Sequence, residues 1–244
     1  MMQHVKHHRI ATGVAAAFLI GTGLVSCAGR GAPADVGPPV TANAAVRAAD
    51  SIPDGTPGDA DTLLLDLRSV DSTIVVDMRY RGSDNFAGAP LPGYEANRAL
   101  LHRDAARALG RVQEALRGEG LGLKVFDAYR PVRATLAMVA WTRRTGREAL
   151  VRDGYISDRS RHNLGVAVDL TLVDRQTGQE LDMGTPFDTF SAAAHTANAT
   201  GAVAANRGRL VAAMAGGGFV NYMQEWWHFS YDVAAPRRFD IVIR

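Results

Sequence analysis

The chain has 244 residues and a single cysteine, Cys27. One thiol excludes any internal disulfide and any cysteine-rich zinc cluster. It also lacks a charge excess: 27 Lys and Arg stand against 25 Asp and Glu, and removing the first 27 residues, with Lys6 and Arg9, leaves 25 against 25. A formally neutral protein is a poor nucleic-acid binder. No apolar run reaches membrane-spanning length, since the longest, residues 10–25, is shorter than the ~20 residues that cross a hydrocarbon core. The composition, 47% hydrophobic and 21% charged, excludes a disordered or collagen-like chain, and there is no internal repeat.

The N-terminus, by contrast, carries a pattern. Lys6 and Arg9 precede the apolar segment 10–25, which closes in Leu24-Val25-Ser26-Cys27. A basic start, a short apolar stretch and small residues before a cysteine read as a secretion signal. The closing tetrapeptide resembles the bacterial lipoprotein signal, in which the cysteine becomes the lipidated first residue, so 1–27 is expected to be a signal and Cys27 a lipid anchor to a bacterial membrane, on its periplasmic or extracellular face. Residues 28–61 are rich in Gly, Pro, Ala and Asp without an apolar period, which predicts a flexible tether. The remaining segment, 62–244, is long enough for one compact domain.

Within that domain, helix and strand signals mix without a regular βαβ alternation. Strands are predicted over 63–67, 73–78, 121–128, 166–173, 219–222 and 226–231. Apolar residues at helical spacing predict helices over 98–117, with Gly118 as C-cap, and over 202–215; Pro131 holds Arg130 extended and opens a helix over 132–144. The expected fold is α+β, a single domain with a central, largely antiparallel sheet flanked by helices.

Four histidines follow the leader: His102, His162, His195 and His228. In the stretch Ser160-Arg-His-Asn-Leu-Gly-Val-Ala-Val-Asp-Leu170, Asp169 alternates with Val168 and Leu170, so a carboxylate faces inward from an apolar strand, which is costly unless it is paired or metal-bound. His162 converges on it if Gly165 supplies a turn; the alternative is an Asp–His or Asp–Arg pair. Glu225 and His228, in Glu225-Trp226-Trp227-His228, share one site only if a bend separates them; otherwise they are a surface acid and a packed imidazole. Together His162, Asp169 and His228 supply two nitrogens and one oxygen, a set that suits Zn²⁺ and leaves a fourth position for water, with Glu225 as base. His102 falls on the predicted 98–117 helix and reads as solvated, and His195 has no assigned role.

These residues carry a family resemblance. Ser160-x-His162-x-x-Gly165-x-Ala167-x-Asp169-Leu170, followed by Glu225-Trp226-Trp227-His228, resembles the zinc D-Ala-D-Ala peptidase superfamily. Tyr80-x-x-x-Asp84-Asn85-Phe86-x-Gly88, Asp127-Ala128-Tyr129-Arg130-Pro131 and Met183-Gly184-x-x-Phe187-Asp188 select its D-alanyl-D-alanine dipeptidase branch. The resemblance implies one zinc ion per chain on His162, Asp169 and His228, Glu225 as general acid/base, and Arg130 stabilising the oxyanion. It also implies a D,D-dipeptide substrate held by Asp188 at its ammonium and Ser160 near its carboxylate, with Tyr80 and Asp127 completing the substrate site. There are plainer alternatives: a turn former for Ser160, a loop acid for Asp188, packing for Tyr80, and for Arg130 a salt bridge to Asp127, which is compatible with its role because Asp127 could hold the guanidinium in place. The expected export departs from the cytoplasmic setting common in this branch and points to envelope turnover or scavenging of the dipeptide.

Overall fold

The structure is a computed structural model and describes residues 52–244. The leader, Cys27 and most of the 28–61 stretch lie outside the described residues. Regular structure starts ahead of residue 62, with α1 at Pro57–Leu63: Thr56 and Asp59 form a reciprocal capping box and Pro57 supplies a preset φ at the first position. Gly55 N also donates to Arg238 O at 2.7 Å, tying this entry segment to the C-terminal part of the chain.

A five-stranded sheet forms the centre. Its strands are β2 (Val75–Val76), β4 (Leu121–Asp127), β5 (Ala167–Asp174), β6 (Val220–Asn221) and β7 (His228–Ser230), in the spatial order β2-β4-β5-β7-β6. Only β2 and β4 run parallel. A second, two-stranded antiparallel ribbon joins β1 (Leu64–Asp66) to β3 (Leu100–His102). The helices α2 (Leu67–Val70), α3 (Arg103–Arg117), α4 (Val132–Arg144), α5 (Ala149–Arg152) and α6 (Gly201–Gly216) complete the α+β architecture expected from the sequence. The central strand β5 reads as an almost continuous apolar run because it is covered on both faces: Ala167 to Val173 are all buried.

One helix starts later than its periodicity suggests. Residues 100–102 are extended because they pair with β1, and His102 N donates to Gly165 O at 2.7 Å. His102 is therefore not a solvated helix residue: it is buried, and its Nδ1 accepts from Asp104 N at 3.3 Å as the N-cap of α3. Burial lowers its pKa, against the pull of Asp104.

The register of the sheet places the chemistry. Asp169 on β5 lies opposite Asp127 on β4 and opposite His228 on β7, so three polar side chains form one row across three strands. A bulge between Val125 and Asp127 makes the alignment, because the extra residue, Phe126, shifts Asp127 into line with Asp169.

Candidate active site

His162 sits on a short 3₁₀ turn, Arg161–Leu164, built as the sequence suggested. Ser160 is its N-cap, accepting from His162 N at 3.3 Å, and Gly165 ends it in the left-handed region at φ 66°. Only glycine fits there: a Cβ would lie 2.6 Å from Leu64 Cδ2 and 3.2 Å from His102 N. His162 Nδ1 lies 2.7 Å from Ala128 O, a carbonyl that only accepts, so Nδ1 carries the proton and Nε2 offers its lone pair.

That lone pair meets two others. His162 Nε2 is 3.2 Å from His228 Nδ1 and 3.4 Å from Asp169 Oδ1, and His228 Nδ1 is 2.9 Å from Asp169 Oδ1. Bonds of ~2.0–2.1 Å from a tetrahedral ion require donor–donor edges of ~3.3–3.4 Å, so the triangle needs only a slight opening to accept one. Three acceptors aimed at one buried point repel one another unless a proton or a cation lies between them. The donor set thus fits a metal ion. Burial alone would raise Asp169, but the imidazoles of His162 and His228 outweigh it and hold this carboxyl well below the usual range. Burial pushes His228 down, favouring the neutral ligand form.

The bend required for Glu225 is present. Glu225 N donates to Tyr222 O and His228 N to Glu225 O, so the chain turns before β7 and brings Glu225 Oε2 to 3.8 Å from His228 Nδ1. Trp226 and Trp227 anchor the turn in the core, Trp226 through Nε1 to Thr185 Oγ1 and Trp227 by edge contact with Phe187. Burial, reinforced by the charge of Asp169, pushes the Glu225 carboxyl well above its ordinary value.

Arg130 occupies the corner between β4 and α4. Its Nε and Nη2 both reach Asp127 Oδ2, at 2.9 and 2.8 Å, and its Nη2 is 3.9 Å from Asp169 Oδ2. The guanidinium lies over the Tyr80 ring, 5.2 Å from its centroid. Burial would lower its pKa, but Asp127 outweighs it and Arg130 stays charged.

Asp127 is fully buried and does not line the cavity in front of Arg130; the bulge turns it behind the guanidinium, where its Oδ1 accepts from Tyr94 at 2.6 Å. In this position it supports Arg130.

The cavity has a volume of about 380 Å³ and is lined by all the other expected residues, including Ser160, Tyr80 and Asp188. Tyr80 packs in the core and also donates to Asp188 Oδ1 at 2.9 Å. Asp188 is a non-glycine residue in the left-handed region, at φ 62°, and its Oδ2 is buried without a hydrogen-bond partner. Burial, then the charge of Asp169, pushes its carboxyl up to about 8. Ser160 both starts the turn and faces the cavity. Tyr155, Phe190 and Met138 also line it, and nothing in their spacing marks them, because two loops and the helix α4 bring them together.

Two imidazoles and a carboxylate aimed at one point, beside a buried glutamate and a buried arginine, are the groups a metal-dependent hydrolase uses. A family profile described as D-ala-D-ala dipeptidase matches residues 60–242. The chain is 37% identical over 169 residues to a D-alanyl-D-alanine dipeptidase of Streptomyces coelicolor, covering 63% of this chain and 84% of that protein. It is 37% identical over 179 residues to the Escherichia coli D-alanyl-D-alanine dipeptidase, covering 71% and 87%, and 35% identical to that of Enterococcus faecium, covering 63% and 83%. The chain belongs to the D-Ala-D-Ala dipeptidase family.

Proposed function

We propose that this enzyme hydrolyses D-alanyl-D-alanine to two molecules of D-alanine with one Zn²⁺ held by His162, Asp169 and His228. The observation that carries the reading is the convergence of these three donors, His162 and Asp169 buried and His228 partly exposed, beside Glu225 and Arg130. Zn²⁺, when bound, acts as a Lewis acid that lowers the pKa of a water to about 7. Glu225 takes a proton from the attacking water and passes it to the amide nitrogen as the C–N bond breaks, so one water is consumed and two amino acids leave. Its raised affinity for a proton suits that shuttle, a role commonly worth ~10²–10⁴ in rate. Arg130, held rigidly by Asp127, faces the developing oxyanion with its remaining N–H groups, a contribution of ~10²–10³ per donor in comparable sites.

Asp188 gives the site its preference for a free amine. Its enclosed carboxyl keeps a proton at neutral pH unless a cation lies beside it, and the substrate ammonium is that cation, placed at the otherwise unpartnered Oδ2. Tyr80 fixes the other oxygen, and Ser160 serves the carboxylate end. The test is Glu225→Gln: the account expects retained zinc with D-alanine release lost, whereas full activity would remove Glu225 from the chemistry.

The same proposal includes the setting. Export and lipid anchoring at Cys27 rest on the leader sequence, and they favour a role in envelope turnover or dipeptide scavenging. Among the described residues no helix is long and apolar enough to cross a membrane. Cys27→Ala is expected to move the protein from the membrane fraction to the soluble fraction; unchanged membrane association would remove the anchor from the account.

A further inference from the structure

Behind the seat for the substrate amine lies a second cavity of about 430 Å³, lined by Gly146, Arg147, Ala149 and Leu150 together with three residues of the active-site cavity: Phe86, Asp188 and Phe190. The two spaces thus meet at Asp188 and are divided by two rings. Phe86 and Phe190 pack edge to face, with centroids 5.1 Å apart and planes at 68°. Each ring is braced from its far side. Phe86 contacts Trp141 on α4 at 4.9 Å, while Phe190 contacts Tyr155 at 5.8 Å, whose hydroxyl is in turn 2.9 Å from His195 Nε2. His195 is fixed through its backbone, because its carbonyl accepts from the buried Arg207 at 2.7 Å.

We infer that Phe190, packed on Phe86, is a specificity-determining wall: it ends the substrate pocket at the amine and excludes peptides extended at the amino end, for which space exists on its other side. The inference rests on the dipeptide reading above, and it assigns the exclusion to two rings as well as to the charge of Asp188. Both rings are half-buried because each faces a cavity, so removing one opens a passage without emptying the core. The space beyond is flanked by Arg147 and by the uncharged Gly146, Ala149 and Leu150, which suits an uncharged acyl or peptidyl group.

The experiment compares kcat/KM for D-Ala-D-Ala and N-acetyl-D-Ala-D-Ala in the wild-type enzyme, Phe190→Ala, Phe86→Ala and Phe190→Tyr. The ratio of acetylated to free substrate is expected to rise at least about tenfold in both alanine variants, since a pocket wall discriminates by steric fit on that scale, and to stay unchanged in Phe190→Tyr. Dissociation constants for both peptides in the zinc-loaded Glu225→Gln background read the same ratio without turnover. An inactive wild-type enzyme would then count against the proposed reaction, while the binding ratio would still decide the wall. An unchanged ratio in both alanine variants would overturn the inference.

Discussion

Replacing Asp127 by Asn isolates a residue that lies outside the cavity lining and supports Arg130 from behind. Its Oδ2 takes two N–H groups of Arg130, its Oδ1 takes the Tyr94 hydroxyl, and its side chain has no exposure. Asn keeps the shape but loses the charge; with its oxygen kept for Tyr94, its amide N–H groups face the guanidinium, donor against donor. Breaking a buried pair by removing one partner costs about 3–5 kcal/mol, and the nearby Asp169 carboxylate, 3.9 Å from Arg130, places this site at the lower end. A loss near 3 kcal/mol lowers the urea midpoint by about 1–3 M at the m-values usual for small domains. In the proposed reaction Arg130 acts on the oxyanion, so kcat should fall by ~10²-fold with little change in KM, and zinc content should hold because Asp127 is not among the three converging donors. A variant within about 1 kcal/mol of wild-type stability and with unaltered kcat would refute the claim that Asp127 holds Arg130 for catalysis.

Gly165→Ala combines a left-handed backbone, costing about 1–2 kcal/mol for an L-residue, with a Cβ 3.2 Å from the His102 amide and 2.6 Å from Leu64. Chemical denaturation should show a loss of at least that size, and zinc titration should show weaker binding, because the turn that aims His162 must shift. At Asp240 the carboxylate accepts from Arg133 N and Nε, both at 2.9 Å, capping the start of α4 from outside the helix. The Arg133 hydrogen bond holds its pKa below the ordinary 3.8 despite partial burial. Its contribution is therefore fully present above that value and lost as pH falls through the lower folded-state pKa. Asp240→Asn is expected to cost about 0.5–1 kcal/mol near neutral pH, with the gap to wild type closing below pH ~4 in denaturation curves.

The sequence made the donors legible but not their arrangement. His162, Asp169 and Gly165 are close in the chain, and a carboxylate inside an apolar run is conspicuous, so the half-site on β5 could be read locally. Joining it to His228 and Glu225 rested on the complementarity of the donor set and on the motif resemblance, not on their places in the chain, because the row Asp127, Asp169 and His228 depends on sheet register and on a bulge at Phe126 that no periodicity reveals. His102 shows the same limit: its helical spacing is real, but pairing of residues 100–102 with β1 overrides it. Phe190 and the Tyr155 ring that braces it lie on loops, where spacing carries no information about which cavity a ring faces.

The central claim is tested most directly by measuring D-alanine released from D-Ala-D-Ala by the zinc-loaded enzyme, with and without a chelator. The account predicts about one zinc per chain, release that stops on chelation, and recovery when zinc is returned. Release that continues after the metal has been fully removed, or none from the zinc-loaded enzyme, would contradict it.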